Sequence, residues 1–191
     1  MRLQQTLAYE YEKENIAYWT NRAPGYSEVN RQELRSGQRG VWGRTLAEAI
    51  ADHYPGRKRQ DIAVLDIGTG PGFFAIILAE RGFAVTAVDY TDSMLDKARA
   101  NAGKWRDQIC FRKMNAEELT FAPESFDVIV SRNLTWNLHD PKKAYQSWER
   151  VLKSGGLLLN FDANWYRYLY DEKAMEGYCR DRENIKAAGV A

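Results

Sequence analysis

Three glycines stand close together between two acidic residues. Gly68, Gly70 and Gly72 follow Asp66, and Asp89 comes 17 residues after Gly72. Glycines let a backbone come close to a ligand without a clash at Cβ, and a helix that starts after them offers unpaired N–H groups. An acid at the end of the next strand can accept hydrogen bonds from both hydroxyls of a ribose. The pattern therefore predicts a binding site for an adenosine-containing ligand.

The spacing of the glycines separates the classes of nucleotide site. A nicotinamide or flavin fingerprint, GxGxxG, would need its third glycine at position 73, which is Phe73. A Walker loop would need Gly-Lys-Ser/Thr after the glycines, and the sequence has none. A glycine turn without a ligand stays open as the alternative, although three glycines cost backbone entropy that a simple turn does not require.

Short apolar runs and helical segments alternate from residue 61 onward. We expect strands within 62–68, 83–90, 107–114, 125–132 and 157–164, and helices over 72–82, 91–103 and 140–156. Thr91 and Asp140 are the expected N-caps, and Gly155-Gly156 is the expected stop of the third helix. Such alternation predicts right-handed βαβ units and a parallel sheet, whose ligands bind at the carboxyl edge.

The segment before residue 61 has no strand pattern. We expect a helical segment interrupted by a turn at Pro24-Gly25, then a helix over 41–53 that ends before Pro55-Gly56. The expected organisation is a helical lid or cap segment over 1–60 and an α/β core over 61–191, which ends in a polar helical tail.

The composition of the 191 residues excludes several classes of protein. Hydrophobic residues make up 45% and charged residues 28%, and the formal net charge of +1 selects neither nucleic acid nor an acidic membrane. The two cysteines lie outside metal-ligand spacings, and no further cluster of ligands predicts a metal site. Without a signal or membrane-spanning pattern, we expect a cytoplasmic protein.

The stretch "VLDIGTGPGFFAIILAERGFAVTAVDYTDSML" resembles the first motif of the class I S-adenosylmethionine-dependent methyltransferases. The (D/E)xGxGxG pattern falls on Asp66, Gly68, Gly70 and Gly72, and "NAEE" and "SFDVIVSRNLTWNLHDP…LKSGGLLLNF" follow in the family's order. The resemblance covers about residues 61–162 and is nearest to the ubiquinone and menaquinone methyltransferase type. It implies an α/β fold: a Rossmann-like, doubly wound parallel sheet in three layers, preceded by a helical segment.

The resemblance also implies a cofactor, S-adenosylmethionine, with S-adenosylhomocysteine as product. Asp66 would fix the glycine loop, Asp89 would hold the ribose, and Tyr90 and Met94 would pack on the adenine. The family usually has an acid where Asn115 stands, so that contact departs from the pattern. The implied cofactor-binding positions in the core are Asp66, Gly68, Thr69, Gly70, Gly72, Asp89, Tyr90, Met94, Asn115, Ala116, Glu117 and Asn133.

Several residues have a second interpretation. Met94 could belong to the core, and Tyr90 could be only a neighbour of the helix cap. His139 has a titration range suited to a general base, but it directly precedes the Asp140 cap, where an exposed loop residue is more common. Tyr26 and nearby aromatics could form a lid over the cofactor or pack on the sheet edge. We assign no catalytic residue.

The expected function is methyl transfer to a small-molecule acceptor by in-line displacement. The alternatives are a protein that binds an adenosyl ligand without catalysis and, with less support, a NAD-type oxidoreductase. The family's sheet normally ends in an antiparallel hairpin, but only 29 residues with a helical pattern follow "LLLNFD". We therefore expect that the hairpin is missing, that the chain is a shortened form, and that homodimers can form through the edge of the fifth strand.

Overall fold

The computed structural model describes residues 2–164 and 166–187. A five-stranded parallel sheet in the order β3-β2-β1-β4-β5 forms its centre. The strands are β1 (Ala63–Ile67), β2 (Ala84–Asp89), β3 (Ile109–Lys113), β4 (Phe126–Arg132) and β5 (Leu152–Phe161). All five expected strands are present, and the expected doubly wound sheet is confirmed.

The helices are α1 (Arg2–Arg35), α2 (Gly37–His53), α3 (Phe73–Ala79), α4 (Asp92–Ala102), α5 (Pro141–Val151) and α6 (Glu172–Ala187). One apolar cluster joins α2 and α3 to one face of the sheet, with Leu46 and Phe74 among its buried members. A second cluster joins α5 to the other face through Trp148 and Ile129. The sheet therefore lies between two helical layers, as a buried parallel sheet must.

The register of the strands determines where the candidate site lies. Ile67, the last residue of β1, is aligned with Val88 of β2 and with Ser131 of β4. Asp89 is aligned with Lys113 at the end of β3. The residues that follow β1, β2, β3 and β4 in the chain therefore meet along one edge of the sheet.

The turn predicted at Pro24-Gly25 is wrong, because α1 runs through Pro24. Ala23, Ser27 and Asn30 are all buried, at spacings that place them on one face of the helix. Ser27 Oγ lies 3.4 Å from Asn101 Oδ1 of α4. Pro24 itself is exposed. Packing of this face against α4 outweighs the local preference of proline to break a helix.

The predicted stop of α5 at Gly155-Gly156 is also wrong. The helix ends at Val151, and Leu152 already has extended backbone and pairs with Phe126 of β4. The next pair is Val128 with Leu157, so β5 contains extra residues within an irregular stretch of the ladder. Gly155 has a φ of +70° there. The two glycines thus lie in a bulge near the start of β5, and they do not end a helix.

The chain divides into two compact units, Met1–Phe161 and Asp162–Ala191. In the second unit the rings of Tyr168 and Tyr178 are stacked with centroids 4.1 Å apart. After Phe161 the described residues form a short 3-10 turn and α6 but no further strand. No described helix has the length and apolarity needed to cross a membrane. The expected division into a lid over 1–60 and a core over 61–191 stays a prediction.

Candidate functional site at the carboxyl edge of the sheet

The glycine loop follows β1 and leads into α3. Gly68, Gly70 and Gly72 have φ values of +67°, +52° and +96°, in the left-handed region that other residues rarely adopt. Thr69 N donates to the carbonyl of Val88 at 2.9 Å, which fixes the loop to the end of β2. A Cβ added to Gly70 would have no neighbour within 4 Å. The loop is thus anchored to β2 through Thr69, and the space beside the Cα of Gly70 is open.

Asp66 supports the loop from inside the core. Its side chain is only 2% exposed, and Oδ2 accepts hydrogen bonds from Thr69 Oγ1 at 2.6 Å and from Ala75 N at 3.0 Å. Burial raises the pKa of Asp66 to about 7, against the opposing effect of these two hydrogen bonds. The carboxyl ties the loop to the first turn of α3.

Asp89 ends β2 beside the loop. Its Oδ2 accepts from Gly70 N at 2.9 Å, and its Oδ1 accepts from Thr91 N at 3.0 Å and from Thr91 Oγ1 at 3.1 Å. Burial raises the pKa of Asp89, and the hydrogen bonds oppose that shift. Since a carboxylate has about four acceptor positions and three are used, the partly exposed Asp89 can accept a further hydroxyl.

Tyr90 and Met94 lie at the start of α4. Thr91 Oγ1 accepts from Met94 N at 3.4 Å, which confirms Thr91 as the N-cap. Met94 is 3% exposed, whereas Tyr90 is half-buried at the end of β2. Of the two, Tyr90 presents more surface to a ligand, and the adenine contact of either residue stays a prediction.

The loop after β3 carries the residues expected at the adenine edge. Asn115 Oδ1 accepts from Glu117 N at 2.9 Å, so this side chain shapes the loop itself. The carbonyl of Ala116 accepts from Trp148 Nε1 at 2.8 Å. Glu117 Oε1 accepts from the backbone N–H groups of His139 and Asp140 at 2.7 and 3.1 Å. Glu117 therefore connects this loop to the one after β4, a contact that no local pattern in the sequence indicates.

The loop after β4 lies directly on the glycine loop. A Cβ added to Gly68 would approach Leu134 Cδ1 to 2.8 Å, so the Leu134 side chain covers Gly68. Asn133 has a φ of +55°, and its N–H donates to the carbonyl of Phe161 at 2.8 Å. Ser131 is fully buried, and its Oγ has no hydrogen-bond partner among the described residues. The site thus places an unsatisfied hydroxyl at the end of β4.

Helix α1 contacts the loop after β4 through polar groups and aromatic rings. Tyr11 Oη donates to the carbonyl of Asn137 at 3.1 Å, and Asn137 Nδ2 donates to Asn15 Oδ1 at 3.2 Å. The rings of Trp19 and Trp136 lie 6.2 Å apart in an edge-on arrangement. Helix α1 therefore packs on the loop after β4. That loop in turn packs on the glycine loop through Leu134.

Tyr26 and His139 both take part in aromatic contacts near this loop, and His139 is an exposed loop residue, as expected. Tyr26 packs edge-on against Trp19, with ring centroids 5.2 Å apart, and stays half-buried on α1. The His139 ring lies 5.1 Å from that of Tyr11. The exposed His139 ring therefore packs beside Tyr11, and the ring of Tyr26 contacts Trp19 and Arg22 of the same helix.

Arg132 of β4 is bound to the last turns of α1 through Glu33. It donates to both carboxylate oxygens of Glu33, at 2.6 and 3.2 Å. Its guanidinium also lies 5.0 Å from the centroid of Phe73, at the start of α3. Among the described residues, no group of three or more His, Cys, Asp or Glu is placed to hold a metal ion.

Comparison with known proteins adds independent findings. The profile of the family described as "Methyltransferase domain" matches residues 65–160. The chain is 36% identical over 139 residues to a demethylmenaquinone methyltransferase from Deinococcus radiodurans, which covers 72% of this chain and 55% of the relative. It is 33% identical over 110 residues to a ubiquinone biosynthesis O-methyltransferase from Nitrosomonas europaea, which covers 56% of this chain and 47% of the relative.

A solved structure shares the fold. A protein from Methanococcus maripaludis, assigned as an S-adenosyl-L-methionine-dependent methyltransferase, superposes with a TM-score of 0.62 at 22% identity, covering 86% of this chain and 76% of the other. At that identity the likeness shows the fold alone. The chain spans about half the length of the curated relatives that it matches, 47% for the Nitrosomonas protein.

Proposed function

The chain belongs to the methyltransferase domain family, and from this premise we propose that it binds S-adenosylmethionine and transfers the methyl group to a small-molecule acceptor. One observation carries the proposal: Asp89 lies beside Gly70 with a remaining acceptor position, over a glycine loop that Asp66 holds in place. The remaining acceptor position of Asp89 fits a ribose hydroxyl beside the loop. The fit agrees with the GxGxG spacing, which differs from a dinucleotide fingerprint.

The proposed roles are those that the family resemblance implies for these positions. Asp89 would accept from the ribose hydroxyls, and the loop from Gly68 to Gly72, with Thr69, would line the methionine portion. Tyr90 would pack on the adenine, with Met94 behind it. The loop after β3 would bound the adenine edge through Asn115, Ala116 and Glu117, and Asn133 would line the path toward the acceptor.

The bound sulfonium supplies an already activated methyl group. The protein therefore needs to hold the acceptor atom in line with the methyl carbon and to exclude water, which is catalysis by positioning. A base is required only where the acceptor loses a proton in the same step. His139 packs on Tyr11, and we assign it no proton transfer.

The acceptor class that we propose to test first is a hydroxylated aromatic ring. The names of two relatives refer to methylation in ubiquinone biosynthesis and of demethylmenaquinone. The aromatic cluster of Trp19, Tyr26 and Trp136, on α1 and the loop after β4, would suit a flat ring. A screen of catechols and hydroxyquinones with labelled cofactor tests this class, and transfer only to non-aromatic acceptors contradicts it.

An Asp89→Ala variant tests the cofactor site. We expect its affinity for S-adenosylhomocysteine, measured by calorimetry, to fall by about 1–3 kcal/mol, the scale of a lost charge-assisted hydrogen bond. Asp96→Ala, on the exposed face of α4, is the matched control and should bind normally. Unchanged affinity in the Asp89 variant, or tighter binding of NAD(H) than of S-adenosylhomocysteine by the parent protein, would overturn the proposal.

We also propose that α1 acts as a cover that responds to the cofactor. Because Trp19 of α1 packs against Trp136 of the loop after β4, ligand binding should change their fluorescence. The change should largely disappear in Trp19→Phe and persist in Trp105→Phe, a half-buried tryptophan elsewhere. Unchanged fluorescence in the parent protein, with binding confirmed by calorimetry, argues against a cover.

Two finer proposals concern the whole protein: a cytoplasmic location and a homodimer through the edge of β5. Among the described strands β5 pairs only with β4, and Leu158 on it is 37% exposed. An unpaired apolar edge favours pairing with another chain. Light scattering at high protein concentration tests the dimer, and a monomer there contradicts it.

A further inference from the structure

A cluster of arginines lies at the far end of α3 from the glycine loop. Arg35 ends α1, Arg39 and Arg44 lie on the first turns of α2, and Arg81 follows α3. These four line an open cleft of about 760 Å³, where the end of α1 and the start of α2 meet Arg81. Arg35 and Arg39 also line a neighbouring hollow of about 360 Å³, together with Arg31. The cluster is therefore concave, and α3 separates it from the carboxyl edge of the sheet.

Positive charge exceeds negative charge among the residues that line the two hollows. Glu80 is the one acid among the described residues that line the two hollows, and both of its carboxylate oxygens are bound by Arg39. Within the part of the chain that the structure describes, Arg35 and Arg44 form no ion pair. Two guanidinium groups are thus available to a ligand at the rim of the larger cleft.

Arg81 forms the floor of the larger cleft. Its side chain is 22% exposed and packs under α2, where its guanidinium occupies the space that a Cβ on Gly43 would fill. Its Nη1 donates to the carbonyl of Ile77 at 2.8 Å, which fixes the guanidinium in place. Burial lowers the pKa of Arg81. The charge of Glu80, whose Oε2 lies 3.9 Å from Arg81 Nη1, raises it, and the like charges of Arg39, Arg59 and Arg44 lower it. Holding these cations together costs free energy that a bound anion would offset.

We propose that Arg35, Arg39, Arg44 and Arg81 bind a phosphate-bearing small molecule, a phosphate ester or diphosphate, at a site separate from the cofactor. Planar guanidinium groups recognise phosphate through paired hydrogen bonds. The larger cleft is open to solvent, and its volume can hold a discrete phosphate-bearing ligand. The seven residues of α3, about 10 Å at 1.5 Å per residue, separate the cleft from the glycine loop.

Calorimetry with inorganic tripolyphosphate at low salt tests the site. An Arg35→Gln/Arg44→Gln double variant should bind it at least about tenfold more weakly than the parent protein, since two charge-assisted contacts are lost. The matched control is Lys142→Gln/Lys173→Gln, which removes the same charge from two exposed positions elsewhere and should bind normally. Equal weakening in both double variants, or no binding by the parent protein, overturns the proposal.

Two further measurements define the kind of ligand and the independence of the site. Vesicles containing phosphatidylglycerol provide phosphate as a lipid headgroup, and binding to vesicles without binding to tripolyphosphate overturns a small-molecule site. Affinity for S-adenosylhomocysteine, measured on the same samples, should be unchanged in the Arg35→Gln/Arg44→Gln variant. The two proposals are independent. Absence of tripolyphosphate binding would leave the proposed cofactor site intact, and absence of S-adenosylhomocysteine binding would leave the proposed phosphate site intact.

Discussion

Asp66 and Asp127 lie at opposite ends of neighbouring strands, and their carboxyl groups are held in opposite ways. Asp66 is the last but one residue of β1, near the carboxyl edge of the sheet, where burial raises its pKa to about 7. Asp127 is the second residue of β4, at the amino edge of the sheet. There burial alone would raise its pKa, but hydrogen bonds from Arg57, Ala63 N and Lys153 lower it to about 2.

The difference indicates that the amino edge of the sheet stabilises the fold, whereas the carboxyl edge carries the candidate binding site. At the amino edge, Asp127 accepts from Arg57 Nη1 at 2.8 Å, Lys153 Nζ at 2.9 Å and Ala63 N at 2.8 Å, so its charge is fully compensated. At the carboxyl edge the donors to Asp66 among the described residues are neutral, Thr69 Oγ1 and Ala75 N. Perturbed and poorly compensated groups gather at functional sites, whereas compensated networks stabilise the fold.

The largest expected effect is on the pH dependence of stability at Asp66. Its pKa of about 7 in the folded protein exceeds the ordinary value, so the native state binds more protons between pH 4 and 7. The free energy of unfolding should therefore fall as pH rises through this window, by up to about 4 kcal/mol. Asp66→Asn, whose amide oxygen can accept the same two hydrogen bonds, should flatten that part of the profile. Urea unfolding at several pH values measures it, and parallel profiles contradict the assignment.

The next largest effect is expected at Asp127. Its side chain is 3% exposed, but Arg57 and Lys153 are 37% and 42% exposed, so solvent screens part of the charge interaction. Asp127→Ala should lower the free energy of unfolding by about 2–3 kcal/mol, chiefly because the Ala63 N–H loses its acceptor. Affinity for S-adenosylhomocysteine should be retained by the folded protein. A loss of affinity for S-adenosylhomocysteine without a loss of stability would contradict a purely structural role for Asp127.

The smallest effect comes from two glycines, one at each edge. Gly70 and Gly155 have φ values of +52° and +70°, and a Cβ on either would have no neighbour within 4 Å. Each glycine-to-alanine variant should lose about 1 kcal/mol of stability through backbone strain, seen in thermal unfolding. Only Gly70→Ala should also weaken cofactor binding, since its Cβ would enter the proposed site. Equal binding by the two variants would remove Gly70 from that site.

The sequence predicts the sheet and the glycine loop because the signals there are local. Thr91 and Asp140 cap helices as their residue types and positions indicate, the latter through its Oδ1 and Lys143 N at 3.0 Å. The turn at Pro24 fails because the buried face of α1 is defined by α4, which lies far along the chain. The stop at Gly155 fails because pairing with β4 competes with the helix.

Features made by distant segments leave no pattern in the sequence. Arg35, Arg39 and Arg44 are spaced among uncharged residues in the chain, and only the packing of α2 on α3 brings Arg81 to them. The unsatisfied Oγ of Ser131 likewise depends on what packs around the end of β4. Such groups become visible only when the neighbours in space are known.

The carboxylate of Glu117 has a consequence for protein engineering. Because it holds the backbone at His139 and Asp140, the loops after β3 and β4 form a single exchangeable module. Grafting the loop over 133–140 from a relative to change the acceptor would leave two N–H groups without their partner unless a carboxylate at 117 is kept. The two loops should therefore be transplanted, randomised and selected together.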